Sequence, residues 1–510
     1  MFAKIASLGL AGIEAFPISV EVDFHRGLPV FEIVGLPDAS VKEARDRVKA
    51  AMGNCGLDLP PGRIVVNLAP ADVRKQGALY DLPILVGVLV ATGQLPAFPE
   101  DSVLVGELSL SGEVRPCSGV LSMALESSRR GVRRFYLPAL NAAEGAAVKR
   151  LEVCPVAHVE ELLCDLRGEK AIPPMEPTPF SQEGPAASPD FREVRGQLLA
   201  RRAAEIAAAG NHNLILIGPP GSGKSMIAQR LPSILPPLTF EEAMDTARIY
   251  SVAGLLEPGR PMPAARPFRA PHHSVSGAGL CGGGSPPKPG EISLAHNGVL
   301  FLDELPEFSR PAMEAMRQPL EDGRVSIVRA GYRLHFPSDC MLVAAMNPCP
   351  CGYFGHPTHP CSCSQTQRLR YIGKVSGPLL DRVDLVAEAQ PVQFEQLAGE
   401  GEAESSEVIR ARVLAARERQ LARQAQTGAD CNARLSPSAV RMACQLEGPA
   451  HAFLERAFHS LGLSARAYDR VLKVARTIAD LDGADRIGRR QIAEAVQYRG
   501  LDRKYWGSGE

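Results

Sequence analysis

The feature that most constrains the fold of this chain is a glycine-rich segment between a short apolar run and a helical pattern. Residues 218–225 match G-x-x-x-x-G-K-[ST], a loop whose backbone N–H groups surround phosphates while its lysine reaches the outer ones and its hydroxyl ligates magnesium. The preceding residues 213–217 form an apolar run of buried-strand length, and residues 226–231 have helical character. This strand–loop–helix context predicts an α/β nucleotide-binding domain. The predicted phosphate-binding residues are Gly218, Pro219, Pro220, Gly221, Ser222, Gly223, Lys224 and Ser225.

A second motif follows at residues 299–304, which read Val-Leu-Phe-Leu-Asp-Glu. Four apolar residues followed by two acids are typical of a buried strand, with Asp303 on magnesium together with Ser225, and Glu304 beside the attacking water. Alone, the first motif can be a glycine-rich turn and the second an acidic strand end. Together, in this order, they predict a domain that binds a nucleotide with Mg²⁺ and hydrolyses it.

Length and composition limit what surrounds this domain. A chain of 510 residues is too long for one core and predicts several domains. Lysine and arginine number 56 against 57 aspartate and glutamate, for a net charge of -1, so any nucleic-acid-binding surface must be local. The 12 cysteines are too dilute for a disulfide scaffold.

No segment of the sequence predicts a membrane anchor. The longest uncharged stretch, residues 82–99, is interrupted by prolines and a glycine and is short for a bilayer span, so we interpret it as a buried helix. The amino terminus superficially resembles a signal peptide, but Glu14 interrupts it and an alternating strand pattern follows at residues 18–24. We therefore expect a soluble cytoplasmic protein without a membrane partner.

A proline-rich linker divides the chain. Prolines at positions 173, 174, 177, 179, 185 and 189 favour extended backbone over a packed core. In the first domain, residues 63–68 predict a strand and residues 40–52 a helix, with Ser40 as the N-cap and Gly53 at its end. The predicted divisions are an α+β domain over residues 1–168, a linker over 169–190, the ATPase core over 191–392 and a helical domain over 393–510.

The carboxy-terminal domain reads as a set of capped helices. Ser436, followed by a proline, and Ser464 each stand where an N-cap is expected. Between residues 405 and 426 acids come early and arginines late, which matches the helix dipole. We interpret these arginines as a solvated face; they are Arg410, Arg412, Arg417, Arg419 and Arg423.

Four cysteines at residues 349–363 predict a zinc site. Two Cys-x-Cys pairs, separated by a short loop rich in glycine, proline and histidine, suit tetrahedral coordination by thiolates. The alternative is a set of reduced cysteines in an interface loop. His356 or His359 can also substitute for one thiol. The candidate ligands are Cys349, Cys351, Cys361 and Cys363.

The first domain resembles the proteolytic domain of the Lon family, a ribosomal S5 domain 2-like α+β fold. The resemblance is carried by residues 106–116, Gly119 and residues 135–138. Lon hydrolysis needs a serine activated by a lysine, but residues 75–81 contain no serine and residues 118–124 contain no lysine. We therefore expect a domain that has lost proteolytic activity and binds a partner, which the sequence does not identify, or organises a ring.

The core resembles the magnesium chelatase branch of the AAA+ ATPases. Residues 266–298 form a glycine- and proline-rich insertion that is a loop by composition and is similar to the helix-two insert of that branch. Residues 325–336 predict a β-hairpin around Gly331, the second insertion of the branch. The resemblance implies that both face a central pore, where Lys288, Arg329 and Arg333 meet phosphates. Each of these cations can instead be an ordinary surface or interface charge.

The same resemblance supplies roles for polar residues outside the two motifs. Asn347, at the end of the apolar run 341–346, would orient water beside Glu304. Arg382 matches the arginine finger that reaches the γ-phosphate of the neighbouring subunit. Arg466 would report the nucleotide held by its own chain, with Arg470, one helical turn further on, as the second candidate. All three arginines can alternatively form structural salt bridges.

Across nearly its whole length the sequence is similar to the YifB/ComM family, whose most specific element is the segment at residues 347–352, Asn-Pro-Cys-Pro-Cys-Gly. That resemblance implies a homo-hexameric ATPase and DNA helicase or translocase that promotes branch migration of incoming DNA during natural transformation. Two other functions stay open: a magnesium-chelatase motor that acts on a porphyrin with partner subunits, and an ATP-dependent Lon-like protease.

Overall fold

The computed structural model describes residues 1–177, 179–180, 189–257, 259–285, 287–329, 332–391 and 403–506, with only the backbone given for Arg329, Tyr332, Asp502 and Arg503. Most of the second half of the linker, the hairpin tip at Gly331 and the expected boundary between core and helical domain at residue 392 lie outside the described residues. Among the helices that are described, none has both the length and the apolar character that crossing a bilayer requires.

The first domain contains two main sheets, a short antiparallel pair β6–β7 and several helices. A four-stranded sheet has the order β1-β2-β4-β3, with β3 parallel to β4 and the other pairs antiparallel, and a parallel sheet has the order β5-β8-β9. The elements are β1 (Phe2–Ala11), β2 (Glu14–Arg26), β3 (Val30–Val34), α1 (Ala39–Asn54), β4 (Gly62–Ala69), α2 (Asp81–Ala91), β5 (Ser102–Leu104), β6 (Glu107–Leu108), β7 (Val114–Arg115), α3 (Val120–Arg129), β8 (Arg134–Pro138), α4 (Ala142–Gly145), β9 (Glu152–Val156) and α5 (Val159–Leu166).

Two helices of this domain differ in their ends from the sequence prediction. The N-cap of α1 is Asp38, whose Oδ1 accepts a hydrogen bond from the Val41 N–H at 2.8 Å, so Ser40 lies inside the first turn. The helix also continues past Gly53 to Asn54. The apolar run at residues 82–99 is helical only in α2, which ends at Ala91.

The core is a five-stranded parallel sheet with helices on both faces. Its strand order is β11-β14-β17-β10-β18, so β10 lies between β17 and β18. The elements are α6 (Leu198–Gly210), β10 (Leu214–Ile217), α7 (Lys224–Ile234), α8 (Phe240–Ala253), β11 (Phe268–Arg269), α9 (Gly277–Cys281), β12 (Gly282–Gly284), β13 (Pro287–Pro289), α10 (Glu291–Leu294), β14 (Val299–Leu302), α11 (Arg310–Ala315), α12 (Arg317–Asp322), β15 (Arg324–Arg329), β16 (Tyr332–Pro337), β17 (Met341–Met346), α13 (Gln365–Ile372), α14 (Gly377–Leu380) and β18 (Leu385–Glu388).

Side chains of β10 alternate between two apolar cores. Leu214 and Leu216 belong to a cluster shared with α6, α7 and the carboxy-terminal helices, whereas Ile215 and Ile217 belong to a cluster on the opposite face. Because β10 is buried on both faces, all of its residues are apolar, which explains the uninterrupted apolar run in the sequence. The predicted α/β core, with its parallel sheet and phosphate loop, is therefore present.

The two insertions are more ordered than composition suggests. The segment interpreted as a loop contains α9 and the antiparallel pair β12–β13, in which Gly283 faces Lys288. Arg269 anchors its base through two hydrogen bonds to the Glu291 carboxylate, at 2.7 and 2.8 Å. The second insertion is the predicted antiparallel hairpin β15–β16.

The helical domain packs against the core instead of standing apart from it. Its elements are α15 (Ser406–Ala422), α16 (Gln424–Thr427), α17 (Pro437–Ala443), α18 (Gly448–Leu461), α19 (Ala465–Leu481) and α20 (Arg489–Trp506). The predicted caps Ser436 and Ser464 each accept a hydrogen bond from a first-turn N–H, and so does Ser405, which caps α15. Both α15 and α19 contact α6.

The interpretation of the α15 arginines as a solvated face is wrong for part of the set. Arg412 donates to the carboxylates of Glu404 and Glu205, and Arg417 donates to the Ala208 carbonyl at 3.3 Å. Arg423, just beyond the helix, donates to both carboxylate oxygens of Asp480 at 2.8 and 2.6 Å. These side chains tie the helical domain together and bind it to α6, which periodicity and charge order cannot reveal.

We expect Asp480→Asn to destabilise the helical domain by about 3–5 kcal/mol, because Asp480 is buried between Arg423 and Arg476 and its removal leaves buried guanidinium charge without a counterion. Urea unfolding followed by tryptophan fluorescence and circular dichroism measures this change. The matched control is Asp485→Asn, whose carboxylate is 98% exposed, with an expected change within about 0.5 kcal/mol. Equal midpoints for the two variants would contradict the prediction.

Candidate nucleotide-binding site

The phosphate loop joins the carboxyl end of β10 to the start of α7. Gly221 and Gly223 have φ of +75° and +83°, the left-handed region that glycine adopts without strain. Helix α7 begins at Lys224, directly after the loop, so its unpaired N–H groups and positive dipole end face the same space. The loop therefore presents an anion-binding concavity.

The Lys224 ammonium lies inside this loop. Its Nζ donates to the Gly218 and Pro219 carbonyls at 2.7 and 2.9 Å and lies 3.3 Å from Asn347 Oδ1. Burial lowers the pKa of Lys224 to about 8, while the charges of Asp303 and Glu304 act in the opposite direction. A lysine held in this way is desolvated before any ligand arrives, which strengthens its attraction for phosphate.

Oxygen ligands for a divalent cation converge beside the lysine. Ser225 Oγ donates to Asp303 Oδ2 at 2.7 Å, which joins the end of the loop to the end of β14. A hydroxyl and a carboxylate are ligands suited to Mg²⁺. Glu304 follows with φ +52°, and its side chain is 57% exposed. Its carboxylate therefore points away from the sheet, and His273 Nδ1 lies 3.6 Å from Glu304 Oε2.

The cysteines form a compact cluster next to the phosphate loop. The ligand atoms of Cys349, Cys351, Cys361 and Cys363 all lie within 4.8 Å of one another, and the three closest sulfur pairs are 3.4, 3.6 and 3.7 Å apart. Thiolates bonded tetrahedrally to zinc at 2.3 Å lie about 3.8 Å apart. The four cysteines therefore fit zinc. His356 and His359 belong to no metal-ligand group among the described residues.

The thiols differ in their acidity. Burial raises the pKa of Cys351, but hydrogen bonds from the backbone of Tyr353 and Ser362 outweigh burial and lower this pKa to about 5. Burial raises the pKa of Cys349 to about 12. One thiolate present at neutral pH is a starting ligand for a metal ion.

The cysteine loop also touches the phosphate loop. Gly352 has φ +84°, and a Cβ at this position would lie 2.6 Å from Pro220 Cδ. Asn347 lies on the same segment, two residues before Cys349. A metal in the cluster would hold this backbone in place and, through it, support both the phosphate loop and Asn347.

The three candidate arginines lie at the opposite edge of the sheet. The Arg382 carbonyl accepts from Asn213 Nδ2 at 2.8 Å, just before β10 begins, whereas the phosphate loop starts after β10 ends. A strand of four residues separates these edges by about 13 Å. Arg382 Nε donates to the Arg317 carbonyl at 2.9 Å, and its Nη2 pairs with Glu321.

Arg466 does not lie beside the phosphate loop of its own chain, contrary to expectation. Its Nη1 is 3.8 Å from Asp381 Oδ2, and Arg470 Nη1 is 3.9 Å from Asp381 Oδ1. Both arginines line a cavity of about 500 Å³ together with Arg382. Helix α19 packs on α6, which precedes β10, and this carries its first turn to the amino edge of the sheet. Sequence spacing cannot foresee that placement.

The candidate nucleic-acid contacts lie on the two insertions. Lys288 on β13 and Arg333 on β16 are exposed, and both line a further cavity. Arg329 lies at the end of β15, opposite Tyr332 in the hairpin register. The structure therefore brings Lys288 and Arg333 together, while the side chain of Arg329 is outside the described part.

Comparisons with known proteins agree with this architecture. The magnesium chelatase subunit ChlI family matches residues 190–397, a ChlI subunit domain matches residues 20–141, and the ChlI carboxy-terminal domain matches residues 403–499. The YifB protein of Salmonella typhimurium is 45% identical over 497 residues, 96% of each chain. Competence protein ComM of Haemophilus influenzae is 42% identical over 509 residues, 98% of each chain. The chain belongs to the YifB/ComM family.

Similarity to Lon is much weaker than similarity to YifB and ComM. The Lon protease of Brucella abortus is 25% identical over 172 residues, which is 32% of this chain and 20% of that protein. Family membership and the parallel sheet together establish a magnesium-chelatase-like AAA+ fold of the P-loop class. The Lon-like character of the first domain has only this partial support.

Two residues near the site of this YifB/ComM chain were not singled out from the sequence. His273 contacts Glu304, and its signal was the His-His pair at the start of the first insertion. Gln197 donates through Nε2 to the Ser222 carbonyl at 2.8 Å and accepts at Oε1 from the Gln390 N–H at 3.2 Å. Nothing in the sequence marks Gln197, because its role depends on two distant segments meeting.

We expect purified protein to carry about one equivalent of zinc, and Cys351→Ser to lower this below about a tenth, because loss of one thiolate breaks a tetrahedral set. Elemental analysis by mass spectrometry measures the metal. Cys164→Ser, a partly buried cysteine in α5, is the control and should keep the full equivalent. Wild-type protein with less than about a tenth of an equivalent of zinc would overturn the assignment.

Proposed function

We propose that this protein is a homo-hexameric, ATP-driven DNA motor of the YifB/ComM type that promotes branch migration in homologous recombination during natural transformation. The observation that carries the proposal is the division of the site between two edges of one sheet. Lys224, Asp303 and Asn347 meet at the carboxyl edge, while Arg382 lies at the amino edge. A ring of identical subunits brings one edge to the other, because head-to-tail interfaces close on themselves.

The carboxyl edge supplies the groups that phosphoryl transfer needs. Lys224 would hold the outer phosphates of ATP, and Ser225 and Asp303 would hold Mg²⁺, which neutralises developing charge on the phosphates. Glu304 is exposed, follows Asp303 directly and lies beside His273, and its carboxylate would orient the attacking water. Asn347 lies 3.3 Å from Lys224 Nζ and would complete the water site.

The amino edge supplies the missing positive charge. Arg382, with Arg466 and Arg470 around the same cavity, would face the γ-phosphate held by the next subunit. Guanidinium groups from a neighbour stabilise the transition-state charge. Both Arg382 and Arg466 therefore act in trans in this proposal, which replaces our expectation that Arg466 serves its own chain.

DNA as the substrate is supported by the insertions and by the ComM relative. Lys288 and Arg333 are exposed cations on two adjacent insertions, placed where a phosphate backbone can meet them. The Haemophilus influenzae relative is named a competence protein. A chelatase motor predicts stimulation by a porphyrin instead of DNA. A Lon-like protease requires a serine–lysine dyad, but residues 75–81, where the serine would lie, contain no serine, and residues 118–124, where the lysine would lie, contain no lysine.

We expect the ATPase rate to rise with branched or single-stranded DNA, and Lys224→Ala and Glu304→Gln each to lower the rate by about 100-fold or more and to abolish movement of a four-way junction. Glu307→Gln is the control, because Glu307 is exposed and pairs with Lys374 at 3.3 Å, outside the phosphate loop. Phosphate release and gel-resolved junction products are the measurements. An active ATPase that neither binds DNA nor responds to it would contradict the proposal.

Mixing experiments separate action in trans from action in cis. We expect Lys224→Ala and Arg466→Ala, each inactive alone, to recover activity when mixed, because about a quarter of interfaces in a random ring then pair an intact loop with an intact arginine. Lys224→Ala mixed with Arg382→Ala should recover equally. Lys224→Ala mixed with Glu304→Gln is the control and stays inactive, since both changes lie on the same edge. No recovery with Arg466→Ala would place that arginine in cis.

A further inference from the structure

A cavity of about 450 Å³ lies between the first domain and the two insertions. Its walls come from the turn after β1, from residues 73–79, from residues 116–118, and from β13 and β16. The turn residue Gly12 lies against Leu334 of β16, and Ile13 is buried in one cluster with Leu334 and Phe336. The cavity therefore lies at a packed interface between the first domain and the insertions.

Three cations from three separate elements line this cavity. Arg74 comes from the first domain, Lys288 from β13 and Arg333 from β16, and all three are exposed. Among the described residues, none of these three side chains forms an ion pair or a hydrogen bond. Like charges gathered around one concavity repel one another, and an anion bound between them removes that repulsion.

The remaining lining does not neutralise these charges. Glu107 is the single acid among the lining residues described, and Arg115 lies 3.7 Å from its carboxylate. The described lining contains no aromatic side chain, so bases would find no ring on which to stack. A positively charged cavity without aromatic side chains favours contact with the phosphates of a nucleic acid over recognition of its bases. Such binding does not depend on the base sequence.

The floor of the cavity is the region where the Lon resemblance would put a catalytic dyad. Residues 76–79 and 116–118 line it, and they contain neither a lysine nor a serine–lysine pair. A substrate-binding groove that has lost its chemistry can still hold a polymer.

From this geometry we infer that the cleft of the first domain is a nucleic-acid contact site, in which Arg74 binds a backbone phosphate of the strand held by Lys288 and Arg333. The inference rests on the proposed DNA motor, and it assigns to the first domain the role of binding the DNA strand. Because Leu334 and Ile13 pack together, the site would move with the hairpin β15–β16 as one unit.

The test uses full-length protein with Arg74→Gln, Arg333→Gln and the double variant, binding fluorescein-labelled oligothymidylate by anisotropy at several salt concentrations. Each single change should make the negative slope of log K against log salt shallower by about 0.7. Each should also weaken binding about 5-fold at 0.1 M salt, and the double variant should weaken it about 25-fold. Arg74→Lys should keep the wild-type slope. The control Arg26→Gln, at the far end of β2 about 40 Å from the β1–β2 turn, should change nothing.

The outcomes distinguish the inference from the function on which it rests. Wild-type affinity and slope in Arg74→Gln, beside a loss in Arg333→Gln, overturn the inference and leave the motor intact. A wild-type protein that binds no DNA overturns the motor itself. Labelled casein that binds the wild type and is released by Arg74→Gln, with DNA binding unchanged, would show that the cleft holds a polypeptide and also overturns the inference.

Discussion

The parallel pairing of β10 with β17 on one side and β18 on the other decides where the groups of the site lie. Parallel strands have all their carboxyl ends at one edge of the sheet. The phosphate loop, Asp303 and Asn347 lie together at that edge because they directly follow β10, β14 and β17. The same pairing places Asp384 and Arg382, which precede β18, at the other edge, where Asn213 binds both. One subunit therefore carries the phosphate loop at one edge of the sheet and Arg382 at the other.

Two linkages tie the rest of the molecule to this sheet. On the amino side, His212 Nε2 lies 2.8 Å from Thr477 Oγ1, and Asn432 and Asp480 continue the buried polar contacts into the helical domain. On the other side, the cysteine loop meets the phosphate loop at Gly352 and Pro220. Buried polar contacts of this kind hold the elements they join in one arrangement. The helical domain therefore supports the edge of the sheet with Arg382, Arg466 and Arg470, and the cysteine loop supports the phosphate loop.

The first domain is joined to the hairpin β15–β16 by packing and to α8 by packing and a hydrogen bond. Ile13 shares a buried cluster with Ile249 of α8 and with the hairpin, and Ser122 donates to the Ile13 carbonyl at 2.6 Å. Arg248 of α8 donates to Glu14 at 3.0 Å. These contacts attach the first domain to α8 and to the hairpin β15–β16.

The sequence by itself determined what local patterns specify: the phosphate loop between a buried strand and a helix, the acidic strand end, the second hairpin, the caps Ser436 and Ser464, and the spacing of four cysteines. Each depends on backbone conformation or chemistry within a few residues. The tertiary structure decided the rest. It alone placed Arg466 beside Arg382, brought Arg412 and Arg417 into contact with α6, showed that Asp38 and not Ser40 caps α1, and put Arg74 in one cavity with Lys288 and Arg333. These outcomes depend on which distant segments meet, because a side chain's partner is set by the packing of whole elements and not by its neighbours in the chain.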